Sequence, residues 1–167
     1  MHIGAGASIT AVKNGKSFDT SMGFTPVAGI TMATRSGDVD PSLIAFMQGK
    51  LNLSSDEMID ILNHKSGLLG ISGISPDMRD ILAAAEKGDE RAQLALDIYV
   101  NRIVRYIGAY IAEMGGADAI VFTAGVGENS VPVRKMITDK LDYFGIKIDQ
   151  EKNNCHGVER DLSADDA

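Results

Sequence analysis

Val121-Phe-Thr-Ala-Gly-Val-Gly-Glu-Asn-Ser130 is the stretch whose reading decides the fold. Ala119 to Phe122 is a short apolar run of strand-favouring composition, and the segment after it passes through Gly125 and Gly127 into a helical pattern. The reading is a buried strand that stops at a glycine turn, followed by a helix from about Ser130 to Leu141. At such a corner, free N–H groups suit an anion or the ribose and phosphates of a nucleotide. A tight turn that binds nothing is the competing reading, because a lone Gly-x-Gly is a weak signal.

The flanks give an α/β alternation. Upstream, Asp89 to Glu113 carries Leu94, Ile98, Ile103, Ile107 and Ile111 at helical spacing and reads as the main core helix, ended by Gly115-Gly116. Downstream, Gly145-Ile-Lys-Ile148 reads as one more strand, and residues 151–167 as a polar, weakly structured tail.

At the N-terminus, Met1 to Val12 reads as a glycine turn feeding a strand, and Asn14-Gly15 as a hairpin turn into a return strand from Lys16 to Met22. Gly15-Lys16-Ser17 is not a P-loop, since Thr10 stands where that motif needs glycine. Gly4, Gly6 and Ser8 could expose backbone donors and a hydroxyl at a turn, a way to hold phosphate without a P-loop.

Gly23 to Asp40 is a long irregular stretch, too apolar to be disordered, that presents Arg35 beside Ser36-Gly37-Asp38. Arginine suits bidentate contact with phosphate or carboxylate, while an ion pair with Asp38 or Asp40 is the structural alternative. Asp40-Pro41 opens a helix that Gly49 ends, Ser54-Ser-Asp-Glu57 is a capping box for a second helix stopped at Gly67, and Leu68 to Pro76 is a short strand or close-packed loop. Ser75-Pro76 leads into a helix from Asp77 to Lys87. Arg79 in its first turn opposes the helix dipole, and either an Asp-Arg pair or a ligand accounts for it.

The chain has 167 residues, 44% of them apolar, with mean hydropathy near zero, which fits one folded domain with a sizeable core. A net charge of −7 argues against nucleic-acid partners, no apolar run is long enough for a membrane span, and a single cysteine, Cys155, excludes an internal disulfide and fits a cytoplasmic protein.

Five segments in order, His2-Ile-Gly-Ala-Gly-Ala-Ser8, Asp19-Thr-Ser-Met-Gly-Phe-Thr-Pro26, Thr34-Arg-Ser-Gly-Asp-Val-Asp-Pro41, Ser75-Pro-Asp-Met-Arg-Asp80 and Phe122-Thr-Ala-Gly-Val-Gly-Glu-Asn-Ser130, resemble successive motifs of the acetate kinases. The butyrate kinases are the nearest alternative, and Thr34-Arg-Ser-Gly-Asp38 favours acetate kinase. The resemblance implies an actin-like, Hsp70-like (ribonuclease H-like) fold and reversible phosphoryl transfer from ATP to acetate, giving acetyl phosphate and ADP with Mg²⁺, in a homodimer. It places His2, Ile3, Gly4, Ala5 and Gly6 beside the nucleotide phosphates, and Asp77, Met78 and Arg79 near the nucleoside. Gly125, Val126, Gly127, Glu128 and Asn129 match the adenosine loop, and Arg35 matches the arginine that stabilises the transition state.

Two departures accompany the resemblance: Ala5 stands where the family usually has Asn, and the chain is under half the family's usual length. The expectation is therefore an incomplete nucleotide-binding domain over residues 1–150, with metal ligands elsewhere, inactive by itself. A non-catalytic nucleotide-binding or dimerisation module is the rival.

Overall fold

The computed structural model describes residues 1–167. Its chain opens with two short antiparallel pairs. β1 (His2–Ile3) pairs with β2 (Ala7–Ser8), and β3 (Thr10–Lys13) pairs with β4 (Lys16–Thr20) across a turn whose residues Asn14 and Gly15 have φ of 53° and 72°. That positive-φ pair is the hairpin geometry the Asn-Gly dipeptide favours. A register shift between Ala11 and Val12 interrupts the pairing, and the return strand stops at Thr20, short of Met22.

Residues 21–40 form an irregular loop, then α1 (Pro41–Leu51) and α2 (Ser55–His64) follow. Asp40 caps α1 as expected, but the helix runs through Gly49 and ends on Asn52 in the left-handed region. The Ser54/Glu57 capping box is present in full. Leu68 to Ser72 is helical rather than extended: α3 (Gly67–Ser72) runs between Gly67 and Gly73, with φ of 59° and 70°. Gly67 therefore starts a helix. α4 (Met78–Glu86) is capped by Asp77.

α5 (Glu90–Met114) is the spine of the core. Its buried stripe is Ala92, Leu96, Tyr99, Val100, Ile103, Ile107 and Tyr110, with α3, α4 and α7 (Val131–Thr138) packed around it. Leu94 faces outward, 51% exposed, so the buried face is rotated from the one the sequence suggested.

Ala119 to Phe122 is not a buried strand. Val121 is exposed, the run carries no strand or bridge, and a single parallel bridge, Thr123 with His2, follows it. The helix begins earlier than expected, with α6 (Ala124–Asn129) preceding α7. Gly145 to Ile148 likewise forms no strand beyond an Ile148–Ser163 bridge. Within the polar stretch after it, α8 (Gln150–Asn153) is helical, Asn153 is fully buried, and Lys152 Nζ donates to Ser163 O.

Candidate functional site

The two glycine turns lie side by side because the chain's first residues run alongside residues 121–123. The Met1 amine donates to Val121 O at 2.6 Å, Thr123 N to Met1 O at 2.9 Å, and Ile3 N to Thr123 O at 2.9 Å. Ile3, at zero exposure, anchors this ladder in the core. A Cβ built on Gly4 would stand 3.6 Å from Ala124 Cβ, and one on Gly127 3.5 Å from Ile3 Cβ. The turns from His2 to Gly6 and from Ala124 to Asn129 are thus neighbours, although more than a hundred residues apart in sequence.

The first turn is tight: Gly4 N donates to Gly6 O at 3.2 Å, and the exposed Ala5 accepts Ala33 N–H at 3.1 Å. That second bond ties it to the Arg35 loop. The second turn departs from expectation in detail. Neither Gly125 nor Gly127 has a positive φ; Ala124 does, at 66°, a conformation that costs a side-chain-bearing residue of order 1–3 kcal/mol. Glu128 Oε1 accepts Ala124 N–H at 2.8 Å, and Asn129 Nδ2 donates to Gly125 O at 3.0 Å, so the turn closes on itself. Gly127 is buried against Phe122, whereas nothing lies within 4 Å of a Cβ on Gly125, which leaves that backbone open to a ligand.

Arg35 points into this corner. Its Nη1 lies 3.1 Å from the Cβ position of Gly6, and its one side-chain hydrogen bond is a 3.7 Å contact with Met32 Sδ. The ion pair with Asp38 or Asp40 does not form. Asp38 instead accepts Gly29 N–H at 2.8 Å and the Tyr106 hydroxyl at 2.6 Å, and Asp40 is occupied as the α1 cap. The loop's backbone is pinned by Ser36 N to Leu62 O at 2.9 Å and Leu68 N to Met32 O at 2.9 Å. A half-buried guanidinium without a carboxylate, beside a turn of backbone amides, is disposed to bind an anion.

Asp77, Met78 and Arg79 are arranged separately. Met78 is buried against the core, and Arg79 pairs with Asp77, Nη2 to Oδ2 at 2.6 Å and Nε to Oδ1 at 3.0 Å. Those bonds, with the Arg79 backbone N–H, lower the Asp77 carboxyl to about 2. The Asp-Arg pair answers the misplaced arginine, and no hydrogen bond joins these residues to either glycine turn. A surface cleft of about 430 Å³ is lined by other residues, among them Asp38, Arg102, Arg105 and Tyr106. No group of three or more His, Cys, Asp or Glu side chains is placed to hold a metal ion.

One residue escaped the sequence reading. Arg134 is 2% exposed and donates to Gly127 O at 2.9 Å and Glu128 O at 2.7 Å, directly behind the second turn. The available signal was its place on the buried face of α7, one residue after Val133 and three before Ile137.

Compared with known proteins, all of residues 1–167 match the sequence model described as the acetokinase family. The chain is 71% identical over 166 residues to an acetate kinase of Limosilactobacillus fermentum, covering 99% of this chain and 42% of that one. It is 58% identical over 166 residues to one of Clostridium novyi, covering 99% of this chain and 41% of that one. Its structure resembles the crystal structure of Porphyromonas gingivalis acetate kinase, with a TM-score of 0.95 and 46% identity over 99% of this chain and 42% of that one. It also resembles a propionate kinase from Francisella tularensis, with a TM-score of 0.93 and 44% identity over the same shares. The chain therefore spans about 42% of the length of these relatives.

Proposed function

The chain belongs to the acetokinase family, and from that premise we propose that it supplies the nucleotide-binding side of a kinase that moves the γ-phosphoryl group of ATP to acetate. The carrying observation is the convergence of Gly4–Gly6, Ala124–Asn129 and the unpaired Arg35 on one corner. In this reading, His2 to Gly6 offers backbone amides to the phosphates, and Gly125 to Asn129 takes the adenosine across the open backbone of Gly125. Asp77 to Arg79 flanks the nucleoside, a placement that rests on the resemblance and on no contact between these residues and the turns.

A carboxylate oxygen of acetate attacks the γ-phosphorus while the bond from that phosphorus to the bridging oxygen breaks, and the electron pair leaves with ADP. Negative charge spreads over the equatorial oxygens during transfer, and Arg35 neutralises it. Such a guanidinium is worth several kcal/mol, about 10³-fold in rate. Mg²⁺ belongs to the reaction through the family, and its ligands are expected outside this chain, whose residues form no metal cluster.

With 42% of its relatives' length, the chain alone is expected not to turn over, since residues from both sides of a cleft must meet. The same reading makes the whole protein a cytoplasmic homodimer. α1 favours the dimer, because none of its residues is buried and Phe46 is 62% exposed.

Calorimetric titration with ADP tests the nucleotide reading, with Arg35→Ala and Gly125→Val as comparisons. ADP is expected to bind the unaltered chain, with weaker binding when Gly125 carries a side chain. Absence of ADP binding, or binding indifferent to Gly125→Val, overturns it.

A further inference from the structure

Arg134 is a buried cation without an anion. Removing a guanidinium from water carries a penalty of several kcal/mol, which only complete hydrogen bonding and well-aimed dipoles can offset. The accounting here is complete. A guanidinium has five N–H groups. Nε donates to Asn153 Oδ1 at 2.7 Å, Nη1 to Gly127 O at 2.9 Å and Glu128 O at 2.7 Å, and Nη2 to Asn153 O at 2.8 Å and Cys155 O at 2.9 Å.

The acceptors fall into two groups. Gly127 O and Glu128 O are end carbonyls of α6, where a positive charge is favourable. The others belong to Asn153, the last residue of α8, and to Cys155 in the segment that follows it. That segment makes further bonds to the same turn: His156 Nδ1 meets Asn129 O at 2.8 Å, and Gly157 N donates to Glu128 O at 3.3 Å. Asn153 Nδ2 also donates to Val131 O at 3.1 Å. The carbonyls of residues 127–129 are therefore all engaged from behind, while Gly125 at the front stays open. A strained conformation such as that of Ala124 persists only where its surroundings over-determine it.

From this arrangement we infer that Arg134 is a positioning residue: with Asn153 to Gly157 it clamps the back of the turn from Ala124 to Asn129 and so sets the shape presented to the nucleotide. The inference rests on the nucleotide reading of that turn. It makes the polar stretch after α8 a working part of the site.

The test compares the full chain with Arg134→Gln and Asn153→Ala. Three quantities are measured: amide hydrogen exchange of residues 124–129 against the α5 core around Ile103, ADP affinity by calorimetry, and the urea unfolding midpoint. Arg134→Gln is expected to speed exchange in the turn by about tenfold or more beyond any change in α5, and to weaken ADP binding about tenfold, the scale of one lost hydrogen bond to a charged group. Asn153→Ala should move both in the same direction by less. Turn exchange that merely tracks α5, or an affinity loss no larger than the loss of folded protein, overturns the inference. Should the unaltered chain fail to bind ADP, the nucleotide reading falls, and the clamp's role in shaping a nucleotide site falls with it. The exchange comparison then still shows whether Arg134 holds the turn. If Arg134→Gln does not fold, Asn153→Ala alone decides.

Discussion

Arg35 Nη1 lies 3.1 Å from the point that a Cβ on Gly6 would occupy. The contact involves the far end of a flexible side chain, so Gly6→Ala is expected to change folding stability by no more than about 0.5 kcal/mol. The guanidinium has to move by a few tenths of an ångström. Misplacement of that kind in a transfer site lowers the rate by about tenfold or more, and Arg35→Ala should lower it about 10³-fold. The measurement is kcat for acetyl phosphate formation, made with the rest of the kinase present, alongside urea unfolding. Unchanged turnover in Arg35→Ala would remove the arginine from the chemistry.

Gly67 holds the Arg35 loop in place. Its φ is 59°, and a Cβ there would overlap Met32 O and stand 2.8 Å from Arg35 O. Gly67→Ala combines left-handed strain with a backbone clash and is expected to cost about 2–4 kcal/mol. Gly49 is the control. It lies inside α1 with nothing within 4 Å of its Cβ position, so Gly49→Ala should stabilise by about 0.5–1 kcal/mol. Urea unfolding curves of the two variants should move in opposite directions.

Local chemistry was legible in the sequence. The Asn14-Gly15 turn, the Asp40 cap, the Ser54/Glu57 box and the reach of α5 all depend on residues within a few positions of one another. What failed depended on distant partners. Val121 has strand composition, but the pairing beside it amounts to one parallel bridge, between His2 and Thr123, and Val121 is exposed. Leu68 to Ser72 is helical because Leu68 and Leu69 N–H groups are drawn to Met32 and Ala33 carbonyls. Nearness in sequence suggested an Arg35–Asp38 pair, yet Tyr106, 68 positions away, takes Asp38. The motifs located the site's residues; only the fold shows that Arg35 is left without a carboxylate and that Arg134 stands behind the second turn.

The Tyr106–Asp38 bond, 2.6 Å long, predicts an alkaline dependence of stability. Burial, then the hydrogen bond to Asp38, raise the Tyr106 phenol to about 12. An unfolded tyrosine titrates near 10. The folded state therefore keeps its proton longer, so the bond's contribution is fully present below pH of about 10 and lost as pH rises through about 12. Tyr106→Phe should cost about 1 kcal/mol near neutrality. Tyr99 and Tyr110 are raised as well, so the readout is the difference between unaltered and Tyr106→Phe stability curves from pH 9 to 12. A difference constant over that interval contradicts the assignment.

Asp77 predicts the opposite dependence in acid. Hydrogen bonds from the Arg79 side chain, then its backbone N–H, hold the carboxyl near 2, against about 3.9 when unfolded. The contribution is thus complete above pH of about 4 and lost as pH falls through about 2. Its size is limited, since the Arg79 side chain is 88% exposed and the ion pair is screened by water. The capping bond to Arg79 N at 2.9 Å is the larger part, so Asp77→Ala should cost about 1 kcal/mol, while Asp77→Asn, which still caps, should cost little. Because Met78 and Ile81 of α4 are buried in the core, loosening this helix start registers in global unfolding. Carboxyl NMR supplies the direct check: Arg79→Ala should move the Asp77 titration up toward 3.9. An unaltered chain that already titrates there would mean that Asp77 and Arg79 do not pair in solution, leaving Arg79 free for a phosphate or nucleoside.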